Sequence, residues 1–234
     1  MPEINLAIET AAHQGWVTLG DDDTIRETAA LERKRRHNIE LMTTLDTLFT
    51  RHQYARTDLK EIYVSLGPGS FTGLRVALAT VKMLALALPA RVVGMPSLHV
   101  VAQNAPADAQ CVAVGLNCKR GTIYSQLFTP SDETPGHWQA ISEARLRTME
   151  DLLREAPRPV TLLGEAWPDL PESAHNDETI TILPPEFAAP RSEALWHLAR
   201  QRALAGQYDD PASLNPLYIR EPEAVTLWRQ RQNA

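Results

Sequence analysis

The sequence predicts an α/β chain of two related halves, each with a mixed sheet. Three observations carry this. Short apolar runs of strand length alternate with stretches of helical period. The order strand, strand, strand, helix, strand occurs once in each half. Hairpin signals join the early strands of each half, whereas the later strands are reached through helices. No sequence repeat is visible between the halves, so element order alone supports the duplication. With 234 residues, 44% hydrophobic and 22% charged, the chain has the composition of an ordinary globular protein and can bury a substantial core.

The first half opens with an apolar run, Ile4 to Ile8, read as a strand. Trp16 to Gly20 and Thr24 to Ala29 follow, joined by the Asp21-Asp22-Asp23 turn as a hairpin. Leu41, Met42, Leu45, Leu48 and Phe49 then recur on one face of a 3.6-residue period, with Asn38 as the expected N-cap. Ile62 to Leu66 is a strand. It runs into the glycine turn Gly67-Pro68-Gly69-Ser70 and a second helix that ends near Leu88. Arg91 to Met95 is the next strand, and Pro96 stands where a first helical turn accepts it.

In the second half, Cys111 to Leu116 and Thr122 to Phe128 pair about Lys119-Arg120-Gly121, and Trp138 to Ile141 supplies a third strand. Leu146 to Glu155 is a helix candidate, followed by strands at Val160 to Leu163 and Thr179 to Leu183. A helix from Ser192 to Gln207 has Ser192 as its cap and Gly206 near its end. The expected domains are 1–103 and 104–190, with the helix 191–207 packing back on the first and a tail over 208–234.

Composition narrows the function. The formal net charge of -6 argues against a chain that binds nucleic acid unaided, since phosphate neutralisation supplies most of that affinity. Met1-Pro2-Glu3 lacks the basic start of a signal peptide, and Arg75 and Lys82 interrupt the longest apolar run, so no membrane role is expected. Cys111 and Cys118 read as reduced thiols of a cytoplasmic protein. None of the seven histidines forms an H-x-x-x-H pair, and there is no G-x-S-x-G elbow. The run Arg33-Lys34-Arg35-Arg36 reads as a solvated loop or, less often, a patch for RNA or an acidic partner.

The glycine turn lacks the lysine of a phosphate-binding P-loop, and Gly67, Gly69 and Gly73 miss the dinucleotide spacing. Gly67 and Gly69 therefore read as turn residues, with Ser70 or Thr72 as the helix cap. Beyond it, Gly73, Ala77 and Thr80 make a stripe of small residues at i, i+4, i+7 that lets another helix approach closely. That seam is either internal, with the preceding helix, or made with a partner. Arg75 and Lys82 lie on another face and read as solvated charges.

Four stretches, Leu6-Ala7-Ile8-Glu9-Thr10-Ala11, Gly67 to Val76, Gly121-Thr122-Ile123-Tyr124 and Pro216-Leu217-Tyr218-Ile219-Arg220, together resemble the TsaB (YeaZ) family, in the family's order and across nearly the whole chain. The resemblance implies an actin/Hsp70-like fold of two α/β subdomains. It implies a non-catalytic subunit that pairs with the TsaD enzyme, joined by the TsaE ATPase, to place a threonylcarbamoyl group on an adenosine beside the tRNA anticodon. TsaD would hold the metal and the chemistry, this chain would bind no cofactor alone, and ATP or ADP would belong to the complex interface. The family's pairing surface is its first two helices. Carried over to this sequence, that surface names His37, Leu41, Met42, Leu45 and Leu48 with Phe71, Gly73, Leu74, Ala77, Thr80, Val81 and Leu84, and a homodimer through the same surface when TsaD is absent.

The chain departs from the family pattern at three places. Glu9 stands where the family usually has Asp, Asn117-Cys118-Lys119 replaces Asp-Ala-Arg, and His13-Gln14-Gly15-Trp16 lacks a glycine-rich phosphate grip. These changes weigh against one alternative, an autonomous actin-like ATPase or kinase, and the missing histidine pair and nucleophile elbow weigh against the other, a glycoprotease-like peptidase.

Overall fold

The computed structural model describes residues 3–31, 37–118, 121–132 and 134–219. The first half holds strands β1 (Ile4–Glu9), β2 (Trp16–Asp21) and β3 (Thr24–Ala30), helix α1 (His37–Arg51), β4 (Leu59–Gly67), helix α2 (Phe71–Ala87), β5 (Arg91–Pro96) and the short helix α3 (Ser97–Ala102). The second half holds β6 (Val112–Cys118), β7 (Thr122–Pro130), β8 (Trp138–Ala140), β9 (Arg145–Thr148), α4 (Met149–Glu155), β10 (Val160–Gly164), α5 (Glu172–His175), β11 (Ile180–Ile182) and α6 (Ser192–Leu204).

The two sheets have matching topology. The first runs β3-β2-β1-β4-β5, with β1 antiparallel to β2 and parallel to β4. The second runs β11-β10-β6-β7-β8, with β6 antiparallel to β7 and parallel to β10, and β9 also pairs with β7. Strand β6 thus stands where β1 does, and β10 where β4 does. Even the strand ends agree, since Gly67 and Gly164 close β4 and β10 with φ of +94° and +107°. Two mixed α/β sheets, one in each half, form the duplicated architecture that the element order predicts.

Central strands are covered on both faces, which explains why β1 reads as a nearly continuous apolar run. Ile4, Leu6 and Ile8 face a cluster made with Leu41, Leu45 and Leu48 of α1 and Ala77, Leu78 and Val81 of α2. Ala7 faces the other way, into a cluster of Tyr63, Val93, Leu195, Trp196 and Ala199 under α6. Asn5 lies on that second face too, where its Oδ1 accepts the Trp196 indole N–H at 2.6 Å. Helix α3 joins the halves, with Val100 in the α6 cluster and Leu98, Val101 and Ala102 against Val112, Val114 and Phe128 of the second sheet. A buried ionic knot fixes α6. Arg200 and Arg91 bind Glu61, which also accepts the hydroxyls of Tyr63 and Tyr208.

Several sequence expectations are corrected. Helix α1 begins at His37, so Asn38 lies inside its first turn and is not its cap. Leu146 to Thr148 is not helical: it belongs to β9, where Tyr124 pairs with Leu146 and Thr122 with Thr148. The helix starts only at Met149, capped by the Thr148 hydroxyl on the Asp151 N–H. Ser192 is the first residue of α6 and not its cap, and its hydroxyl is 2.6 Å from that of Thr18, tying the helix to the first sheet. That helix stops at Leu204, short of Gln207. The segment after it packs on the first half as far as Tyr218. The Asp209 N–H donates to the Val92 carbonyl at 2.8 Å, the Leu217 N–H to the Leu66 carbonyl at 2.7 Å, and Leu214 is buried. Arg33 to Arg36 and the residues beyond 219 lie outside the described residues.

Candidate functional site

Strand β1 and the β4–α2 turn bring the first two sequence motifs together. The Ser70 N–H donates to the Ala11 carbonyl at 2.7 Å. Ser70 is also the helix cap, accepting the Gly73 N–H at 3.2 Å, whereas Thr72 is an exposed residue of the first turn. A Cβ on Gly69 would stand 2.4 Å from the Ala11 carbonyl oxygen, and one on Gly73 2.2 Å from that of Thr10. Neither position tolerates a side chain while the loop stays where it is. The turn is therefore filled by the chain's own backbone at Thr10–Ala11 and is not a cradle for phosphate.

Beneath this junction lies Glu9, fully buried. Its Oε1 accepts the Ala11 N–H at 2.6 Å, while Oε2 and the neighbouring Thr10 hydroxyl make no hydrogen bond of good geometry. Burial pushes the Glu9 carboxyl up to about 7, against the opposing pull of the Ala11 N–H and the Ser65 hydroxyl. The protein thus holds a proton-binding carboxyl at the heart of its motif pair. Cys111, by contrast, is a buried thiol pushed up to about 11, which makes it unreactive. Among the described residues, no group of three or more His, Cys, Asp or Glu could hold a metal ion, and no helix is long and apolar enough to cross a membrane. Asn117 lies in β6, and Lys119 falls outside the described residues.

The helix pair divides the residues named for the partner surface into two sets. Leu41, Leu45 and Leu48 of α1, and Gly73, Leu74, Ala77 and Val81 of α2, are buried within the chain itself. Two of the three small stripe residues are thus internal: Gly73 packs on the Thr10 backbone and Ala77 on the first core. His37 opens α1. Met42, Thr80 and Leu84, however, line a shallow apolar groove between the two helices, together with Thr43, Asp46, Ala79, Met83 and Ala87. Phe71 stands exposed at the start of α2.

Met83, 67% exposed, and Leu86, 85% exposed, were not among the expected contacts. Their signal was available. Ala79, Met83 and Leu86 repeat at i, i+4, i+7 on the side of α2 opposite the buried residues, and a helix apolar all round is covered on more than one side.

Neither charge on α2 is free in solvent. The Lys82 ammonium donates to the Ala212 carbonyl at 3.2 Å. Arg75 lies 3.9 Å over the Phe71 ring, and its Nε donates to the Tyr218 hydroxyl at 2.9 Å. The segment after α6 therefore reaches the edge of the helix face, and the last of the four sequence motifs, at Leu217 and Tyr218, meets the second.

The family model described as TsaD, tRNA N6-adenosine threonylcarbamoyltransferase, matches residues 27–153. The chain is 26% identical to the tRNA threonylcarbamoyladenosine biosynthesis protein TsaB of Bacillus subtilis, over 97% of this chain and 98% of that one. It is 24% identical to the protein of the same name from Escherichia coli, over 92% and 94%. A protein of Mycoplasma genitalium named MG208 is 39% identical over 76% of this chain and 74% of its own length. Among solved structures, YeaZ from Pseudomonas aeruginosa superimposes with a TM-score of 0.73 at 21% identity, covering 92% of this chain and all of the other. A second structure from that organism, described as similar to peptidase YEAZ, gives 0.75 at 22% identity, over 93% of this chain and all of the other. These two likenesses show a shared fold.

Proposed function

Because the chain belongs to the TsaD, tRNA N6-adenosine threonylcarbamoyltransferase, family and resembles TsaB proteins along nearly its whole length, we propose that it is a non-catalytic subunit of a tRNA threonylcarbamoyladenosine machinery that docks on a TsaD-type enzyme. The observation that carries this is the exposed apolar face of α1 and α2, at Met42, Ala79, Met83 and Leu86. It sits on two rigid helices whose inner faces belong to the first core, so the surface is preformed and binding it costs little ordering. The Thr10–Ala11 backbone filling the glycine turn weighs against this chain gripping a phosphate there by itself.

The chemistry then resides on the partner, with TsaE, tRNA and any ATP or ADP joining the assembled complex. In the partner's absence, a second copy of this chain covers the same face.

The test is co-elution with the purified TsaD-type enzyme of the same organism on size exclusion, beside tRNA threonylcarbamoyladenosine content in cells that depend on the variant. Met83→Glu combined with Leu86→Glu changes only exposed side chains. It is expected to abolish co-elution and lower the modified nucleoside, with an unchanged thermal midpoint. Wild-type co-elution by this variant would overturn the reading.

A further inference from the structure

We infer that Arg75, clamped by Phe71 and Tyr218 at one end of the α2 face, receives a carboxylate of the docking protein. This rests on the docking reading above and adds to it the chemistry of the partner.

Phe71 and Arg75 are four residues apart and share one side of the helix. The guanidinium carbon is 3.9 Å from the Phe71 ring centroid and 5.9 Å from that of Tyr218, and the two rings are 5.5 Å apart. The Tyr218 hydroxyl takes the Nε–H at 2.9 Å. Tyr218 is held in turn, through the Leu217 N–H on the Leu66 carbonyl. The side chain is fixed by its guanidinium face over Phe71 and by its Nε, and among the described residues its two terminal nitrogens have no hydrogen-bond partner.

Other arginines of this acidic chain hold carboxylates: Arg26 binds Asp21, Arg91 and Arg200 bind Glu61, and Arg147 binds Glu155. Arg75 has no such pair among the described residues. A guanidinium presenting its two terminal nitrogens is the geometry that grips a carboxylate with two parallel hydrogen bonds. Ordering it in advance removes the entropy cost that a free arginine pays on binding.

The surroundings favour a protein carboxylate over a nucleic-acid phosphate. Ala79, Met83 and Leu86 continue the same helix face as apolar surface, which a protein covers and an RNA backbone does not. RNA affinity needs several cations together, and Lys82 is the only other cation of this helix.

Arg75→Met keeps an unbranched side chain beside Phe71 and removes the guanidinium and its charge. It is expected to weaken binding to the purified TsaD-type enzyme by about 30-fold or more, and to flatten the salt dependence of that affinity. Tyr218→Phe, which loses only the hydrogen bond, is expected to weaken binding less, and Arg75→Lys should not restore it. If Arg75→Met binds with wild-type affinity and salt dependence while Met83→Glu abolishes binding, the anchor is wrong and the docking face stands. If Met83→Glu binds normally as well, the docking face itself is wrong. If Arg75→Met leaves the enzyme affinity unchanged but lowers retention of a tRNA transcript by the isolated chain, the site contacts RNA and the carboxylate assignment falls.

Discussion

Glu9 keeps its carboxyl away from water, with Oε1 accepting the Ala11 N–H at 2.6 Å. Its pKa rises from 4.5 to about 7 on folding, so the native chain binds this proton more tightly than the unfolded chain does. The stabilisation is complete below pH 4.5 and is lost as pH climbs through 7, up to about 3 kcal/mol. Glu9→Gln keeps an acceptor for Ala11 and cannot ionise. Its thermal midpoint should therefore exceed wild type by several degrees at pH 8 and converge with it near pH 4.5, as differential scanning calorimetry at the two pH values would show. A parallel pH response in the two proteins would exclude Glu9 as the source. The sequence shows Glu9 as an acid but not that it is buried, because its burial comes from the pairing of β1 between β2 and β4, which is distant in sequence. Ser70 as a cap was legible from the residues around it. Ser192 was not, since its hydroxyl is used across space by Thr18.

Helix α2 carries three jobs on three sides: an inner seam against β1 and α1, an outer apolar face, and an edge strapped by residues 212–218. Its existence and length were plain from sequence. Its rotation was not, because a helix apolar nearly all round gives its periodicity no phase. That is why Gly73 and Ala77 were open to being read as partner contacts although they serve the chain's own interior. Gly73→Val drives a side chain into the Thr10 carbonyl and should cost about 2–3 kcal/mol, read as a lower urea midpoint for the isolated protein. An unchanged midpoint would show that the loop at Thr10 can retreat. Strand β9 was missed for a related reason. Its four residues, Arg-Leu-Arg-Thr, precede a helix without a break in polarity, and only pairing with β7 decides their conformation.

At the scale of the molecule, the duplicated element order was legible, and the sheets bear it out down to strand polarity. The crossing of helices between halves rests on contacts far apart in sequence, which no local pattern encodes. Trp196 is the centre of that crossing, at 2% exposure and bonded to Asn5. Trp196→Ala should cost about 3–5 kcal/mol in denaturant unfolding, since it opens a large cavity and leaves Asn5 without its donor. A loss below 1 kcal/mol would mean that α6 is not needed to close the first sheet.

The placement of α6 also has a consequence for synthesis. The ribosome finishes the five strands of the first sheet by Pro96, yet the helix that roofs Ala7, Tyr63 and Val93 is made only between Ser192 and Leu204. About a hundred residues of the second half must emerge in between. During translation the nascent first half therefore carries an uncovered apolar sheet face, a surface open to chaperones and to premature association, and it acquires its roof only after its sister half has been made.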